Sequence, residues 1–212
     1  MTTLTFASSI PRPNIREDRT RCAILSETLR LVEKLGFSKI TLDDIARCLG
    51  KKKSFLYYYF PDKEALLAAA VGREVDAIRQ ELQRAVAKEV TGKSKISAYL
   101  LRYHQEIRRR LPMIRHLRKE IQGGASGSYA LILDKSRISR EREVPMVADL
   151  LRVGVRDGSL RPLGETEIEA VAGFFLMALR GIEQEYILGE ADETAEASFA
   201  IAIRTLECGL AP

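Results

Sequence analysis

Apolar residues along this chain recur at steps of three and four, and no segment alternates in the manner of a strand. Ile24, Thr28, Leu31 and Leu35 form one stripe, widened by Leu25, Leu29 and Val32, and Gly36 closes that helix as a C-terminal glycine. A second helix begins at Thr41, whose hydroxyl can cap it while Asp44 three residues on completes a capping box. It runs through Ile45, Ala46 and Leu49 to Gly50. A third spans Lys51 to Phe60. Pro61-Asp62 then breaks the chain and caps a fourth, opening Lys63-Glu64-Ala65-Leu66-Leu67 and running to about Val90. Further helices are predicted at 94–111, 112–122, 128–157, 165–188 and 192–209, with Gly123-Gly124, Gly158 and Gly189 as punctuation.

The pattern predicts an all-α fold, and composition agrees. With 212 residues, 46% hydrophobic and 30% charged, the chain can bury a substantial core, which excludes disorder for most of its length. Uncharged stretches such as Ala170–Leu179 are far shorter than the ~20 apolar residues of a spanning helix, so no membrane insertion is expected. Residues 1–17, with Pro11 and Pro13, read as a mobile arm without a signal-peptide pattern, and a cytoplasmic location is expected. Cys22, Cys48 and Cys208 are odd in number and far apart, which argues against a disulfide framework or zinc cluster and predicts buried free thiols.

Charge changes the picture more than composition does. The net +5 hides a gradient: residues 1–70 carry 12 Lys/Arg and 8 Asp/Glu, residues 71–135 carry 14 and 7, and residues 136–212 carry 8 and 14. Basic charge gathered at one end points to a polyanion partner there.

A short capped helix, a glycine turn and a second short helix rich in basic and aromatic residues has the spacing of a helix-turn-helix. Lys51, Lys52 and Lys53 crowd the start of the third helix, where the macrodipole already disfavours cations, and Lys63 does the same at the fourth. Stability cannot account for that placement; a phosphate partner can. In Tyr57-Tyr58-Tyr59-Phe60 neighbouring residues point about 100° apart, so they cannot all be core. Phe60 and Leu56, four apart, read as core. Tyr58 and Tyr59 read as exposed hydroxyls for phosphate or base edges, and Tyr57 fits either role.

Ile40-Thr41-Leu42-Asp43-Asp44-Ile45-Ala46, followed by Leu56-Tyr57-Tyr58-Tyr59-Phe60-Pro61-Asp62-Lys63-Glu64-Ala65-Leu66-Leu67, resembles the DNA-binding domain of the TetR family over roughly residues 19–66. The resemblance implies an N-terminal three-helix helix-turn-helix domain (18–66). A long helix would fuse it to a C-terminal helical ligand-binding and dimerisation domain (67–212). It further implies a homodimer that binds an inverted-repeat DNA operator and releases it when a small-molecule effector binds. Lys53, Ser54 and Tyr58 fall where family members touch bases; Thr41, Lys52, Tyr57, Tyr59 and Lys63 fall where they touch phosphates. The chain departs from the family pattern at Lys51-Lys52 and at Ser54-Phe55, and a large Phe55 facing the groove would alter how closely the helix approaches.

Beyond residue 70 the sequence is less specific. Ile168, Val171, Phe175, Ala178 and Ile182 make one stripe, widened by Ala172, Leu176 and Leu179. Phe199, Ala202, Ile203, Leu206 and Leu210 make another. The two fit half of an intermolecular four-helix bundle, as the resemblance implies, or an ordinary intramolecular core. Tyr103, His104, Ile107, Met113, Ile114, Leu117, Ile121, Tyr129, Met146 and Leu150 suit a largely apolar effector cavity with few polar anchors. Arg108-Arg109-Arg110, Arg115, Arg118 and Lys119 read first as a solvated helix face and second as a contact for an anionic ligand or a membrane surface.

His104 and His116 lack neighbours at metal-ligand spacing, so neither metal nor cofactor is expected. Gly92-Lys93-Ser94 ends like a phosphate-binding loop, but Ala87 stands where that motif needs glycine, and a helix precedes it. Ser126 lacks the setting of a nucleophile elbow. The reading is therefore a non-enzymatic DNA-binding regulator, a repressor. The alternative is an effector-independent architectural or division-site protein on the same scaffold.

Overall fold

A computed structural model describes residues 15–122, 143–188 and 192–212, and among them the chain is helical throughout, with no strand. The helices are α1 (Ile15–Leu35), α2 (Leu42–Cys48), α3 (Lys53–Tyr59), α4 (Lys63–Ala87), α5 (Gly92–Gln122), α6 (described over 143–156), α7 (Glu165–Leu188) and α8 (Asp192–Gly209). The expected spans at 165–188 and 192–209 coincide with α7 and α8. Helix α1 opens at Ile15, inside the expected arm, and α4 stops at Ala87 rather than Val90. Tyr129 and Ser126 lie outside the described residues.

Two apolar cores organise the chain. The first gathers Ile24, Leu25, Leu29, Leu31 and Val32 of α1, Phe37 and Ile40 of the following turn, Ile45 and Ala46 of α2, Leu56 and Phe60 around α3, and Leu66 to Val71 of α4. Thr28 is fully buried in the same stripe because its hydroxyl donates to the Ile24 carbonyl at 2.8 Å, so no polar atom is stranded. Leu35, expected in that stripe, is exposed instead. The second core joins Leu82 of α4 to α5, α6, α7 and α8, with Tyr99, Leu100, Leu151, Phe175 and Phe199 prominent in it.

The break expected between residues 111 and 112 does not occur: α5 runs unbroken through Pro112. A proline removes one backbone donor, but Leu111 and Met113 on either side are both buried, and packing outweighs the local penalty. Met113 is buried in the first core, so α5 links the two.

The Gly92-Lys93-Ser94 segment is a joint between helices. A Cβ on Gly92 would lie 2.0 Å from the Gly154 nitrogen of α6, so only glycine permits this approach. The first N–H groups of α5 are satisfied within the fold. Asp157 Oδ2 accepts from Gly92 at 2.7 Å, Ser159 Oγ from Lys93 at 3.1 Å and Thr91 Oγ1 from Ser94 at 3.2 Å.

Three expectations are corrected by burial. Cys22, Cys48 and Cys208 are exposed, because leucines and isoleucines fill the core-facing positions of their helices and leave the cysteines on the flanks. The basic run of α5 is not one solvated face. Arg108 and Arg109 are exposed, but Arg110 is buried against Glu106 and Glu74, and Arg115 donates to the Tyr186 carbonyl at 2.6 Å. The third correction concerns α7 and α8. Ile168, Phe175, Leu179 and Phe199 are buried in the chain's own second core, with Val171, Ile182 and Ile203 packed against it, so this stripe is not an exposed dimer face. The Leu206 side chain lies outside the description. Helix α7 is apolar on more than one side, so periodicity alone could not tell inner from outer. The outward residues are Phe174 (58% exposed) and Met177 (63%) on α7 and Ile201 (57%) on α8.

Candidate nucleic-acid interface and ligand cavity

Three short-range devices build the N-terminal site. Thr41 caps α2: its hydroxyl accepts from the Asp44 N–H at 3.2 Å while its own N–H donates to Asp44 Oδ2 at 3.0 Å, closing a capping box, and the hydroxyl also donates to that oxygen at 2.6 Å; together these hold the Asp44 carboxyl below its usual range. Gly50, at φ 64°, turns the chain between α2 and α3 in the left-handed region. Asp62 then caps α4 by accepting from the Ala65 N–H at 2.6 Å. By contrast, α3 has no side-chain cap and no acid in its first turn, and its N-cap residue is Lys52.

Leu56 and Phe60 anchor α3 in the first core, which turns the other face outward. Lys53, Ser54, Tyr57 and Tyr58 share that outer face; Tyr58 is 73% exposed and Tyr57 49%. Lys51 and Lys52 are exposed beside them. Lys53 Nζ donates to Asp43 Oδ2 of α2 at 3.1 Å, an exposed pair that holds the ammonium above its ordinary range and lies open to exchange for another anion. Lys63 opens α4 with its ammonium donating to the Ser38 carbonyl at 3.4 Å. Thr41, Lys52 and Lys63 thus stand at the starts of three helices on one end of the molecule.

Two aromatic expectations change. Phe55 does not face outward freely. It is half-buried against the first core, tilted on Tyr59 at 5.3 Å between ring centroids, with the Lys51 ammonium 5.5 Å above its ring. Tyr59 is likewise half-buried, packed between Phe55 and Tyr58. The substitution of a large Phe at this position is absorbed by the domain rather than projected from it.

The C-terminal part holds a cavity of about 470 Å³ between α4, α5, α6 and α7. Tyr103, Ile107, Met113, Ile114 and Met146 line it, as the sequence suggested. His104 and Leu150 do not. His104 stacks on Phe199 at 3.8 Å and lies 3.5 Å from the Tyr186 hydroxyl, and Leu150 is buried in the second core. Burial, with Arg108 nearby, holds the His104 imidazole below its usual range. The side chains of Leu117 and Ile121 lie outside the description.

What sequence reasoning missed is the charged lining: Glu74, Arg79, Arg110, Glu143, Arg180 and Glu183. Tyr103 donates to Glu183 Oε2 at 3.0 Å, and burial together with Glu183 raises the phenol far above its ordinary range. The only available signal was that each of these residues sits on the inner side of a helix already assigned by its apolar stripe.

A capped three-helix unit with a basic third helix, joined by a long helix to further helices that line a cavity, is the architecture of a helix-turn-helix domain fused to a helical domain. Residues 24–70 match the model of the family described as "Bacterial regulatory proteins, tetR family". Over those residues the chain is similar to that family.

An EthR-type transcriptional regulator of Mycolicibacterium smegmatis is 39% identical over 54 residues, covering 26% of this chain and 25% of the relative. The RutR transcriptional regulator of Escherichia coli is 30% identical over 142 residues, 66% of this chain and 64% of the relative. The matched segments thus span from a quarter to just under two thirds of those proteins. Among solved structures, a TetR transcription regulator from Haloarcula marismortui superposes with a TM-score of 0.74 at 17% identity, covering 92% of this chain and all of that one, which establishes the shared fold. None of the described helices is long and apolar enough to cross a membrane.

Proposed function

We propose that this protein is a sequence-specific DNA-binding transcriptional regulator, a repressor that works as a homodimer and leaves its operator when a small molecule occupies the α4–α7 cavity. The observation that carries the DNA reading is the outer face of α3. Lysines 51 to 53 stand at a helix start where the macrodipole opposes them, with no acid in the first turn and two exposed tyrosines alongside. Only a polyanion brought to that face turns the arrangement into a favourable one.

Within this reading Lys53, Ser54 and Tyr58 meet base edges in the major groove, while Thr41, Lys52, Tyr57, Tyr59 and Lys63 hold phosphates. Phe55 braces the helix from behind. A second copy is needed to place two such helices one DNA turn (~34 Å) apart. The occupant we assign to the outward apolar residues Phe174, Met177 and Ile201 is that second copy, its α7 and α8 completing a four-helix bundle. The effector-independent architectural reading is not favoured, since a cavity of about 470 Å³ lined by both charged and apolar groups suits a small molecule.

Selection of binders from a random duplex library, followed by affinity measurements against salt, tests the reading. An enriched inverted repeat is expected. Lys63→Ala should weaken binding to all sequences alike and reduce the salt slope by about 0.9, whereas Lys53→Ala should blur one base position. Enrichment of no sequence would overturn the sequence-specific reading.

A further inference from the structure

The cavity wall is balanced in formal charge: Glu74, Glu143 and Glu183 face Arg79, Arg110 and Arg180. Their commitments are not balanced. Arg110 Nε donates to Glu74 at 2.6 Å and its guanidinium also binds Glu106; Arg79 donates to Asp76 at 3.1 Å; Glu183 accepts from Tyr103. Arg180 is the exception. Among the described residues its one ion pair, to Glu143, is 3.4 Å long, and its buried Nε has no hydrogen-bond partner. A guanidinium offers five donors and accepts nothing, and the Arg180 Nε donor is unmet although the Glu143 carboxylate shares the wall. The Tyr99 hydroxyl is also buried without a partner, in the electrostatic reach of Glu143 and Arg180. A buried donor left unmet is costly, and an acceptor supplied from outside removes that cost.

Apolar side chains make up much of the remaining wall, interrupted by Gln83, Gln184, Arg79 and the Glu74–Arg110 pair. Val71, Val75, Ile78 and Leu82 along α4 face Ile107 and Met113 of α5. Tyr103 and Met113 lie ten residues apart on α5, about 15 Å along its axis, so the lining extends over that length of the helix.

Resting on the reading of this cavity as the effector site, we propose that its ligand is an amphipathic organic anion. A carboxylate is held by Arg180, and an aliphatic or aryl-aliphatic body lies along Ile78, Leu82 and Ile107 toward Val71 and Met113. The guanidinium takes the carboxylate in a forked, charge-assisted contact, displacing the long tie to Glu143.

Calorimetry on the full chain without DNA tests this with three probes that share a body and differ in the head: 6-phenylhexanoate, 6-phenylhexanol and 6-phenylhexylamine. The acid is expected to bind about tenfold more tightly than either of the others. Arg180→Gln should bring the acid down to the alcohol, Arg180→Lys should retain part of the preference, and Arg79→Gln, whose guanidinium is already committed, should leave it unchanged. Glu143→Gln should strengthen acid binding by freeing Arg180. The lysine variant keeps the test decisive if the glutamine variant fails to fold.

Tighter binding of the amine would overturn the proposal in favour of a cation held by Glu143 and Glu183. So would an acid preference that survives Arg180→Gln, or no heat from any probe at millimolar concentration. These outcomes are independent of the duplex selection: loss of operator specificity with anion binding intact removes the DNA reading, and the converse removes only the ligand class.

Discussion

The two halves of the molecule use charge in opposite ways. Around α3 the cations stand outward and their one acidic partner, Asp43, is itself exposed. Around α5 they turn inward: Arg110 is buried between Glu106 and Glu74, and Arg102 bridges Glu81 and Glu106. The first arrangement leaves charge available to an external polyanion at little cost, because exposed pairs contribute about 0–1 kcal/mol. The second consumes charge in joining α4 to α5, where removing one partner strands the other. A basic segment is therefore no guide to a polyanion surface until its helix faces are known. Residues 71–135 are the more basic by count, yet the face proposed to meet nucleic acid lies in residues 41–63.

The sharpest way to separate the halves is to damage one core at a time. Leu56→Ala empties a fully buried position in the first core and should cost ~2–5 kcal/mol and abolish operator binding. Ligand heats from the cavity should persist at low temperature in that variant; their loss would show that the two cores do not stand independently. Gly92→Ala strikes the other half. Its new Cβ cannot coexist with the Gly154 backbone, so α5 and α6 must part at a cost of ~1–3 kcal/mol, read as a lower urea midpoint. An unchanged midpoint would refute the close approach.

Two smaller effects sharpen the contrast. Thr41→Ala removes the capping box of α2 and should cost about 1 kcal/mol, weakening operator binding without altering cavity ligands. His104→Phe addresses pH. The imidazole is depressed in the folded chain, so its contribution is fully present above the unfolded value of about 6.5 and declines as pH falls through that value toward the folded one. Urea midpoints should therefore fall between about pH 7.5 and about pH 5.5, and the phenylalanine variant should show a smaller fall. An identical fall in both would dismiss His104 as its source.

Legibility in the sequence followed the range of the interactions. Thr41 with Asp44, Gly50 and Asp62 act within four residues of themselves, and their local signals placed α2, α3 and the start of α4 to within two residues. Two of the long helices, α7 and α8, were legible down to their bounds, whereas the proline within α5 suggested a break that packing removes. The inner and outer sides of α7 were not, because Phe174 and Phe175 are chemically equal and only the neighbouring helices decide which is buried. The cavity was half legible. Tyr103, Ile107, Met113 and Met146 follow from stripes, while the ties of Arg110 to Glu74 and of Tyr103 to Glu183 cross 36 and 80 residues of chain and leave no mark at short range. His104 was misplaced because a ring flanked by Phe199 and Tyr186 is as satisfied as one facing a ligand.

Val71 and Met113 belong at once to the wall of the cavity and to the first core. A densely packed interior does not yield gradually, so whatever presses on those two side chains presses on the seat of α3. The same double membership constrains how such a molecule could be altered over time. In the proposed regulator, residues at the Arg180 end could drift toward new ligands, whereas any change at Met113 must satisfy two masters and would be vetted by the operator as well as by the ligand.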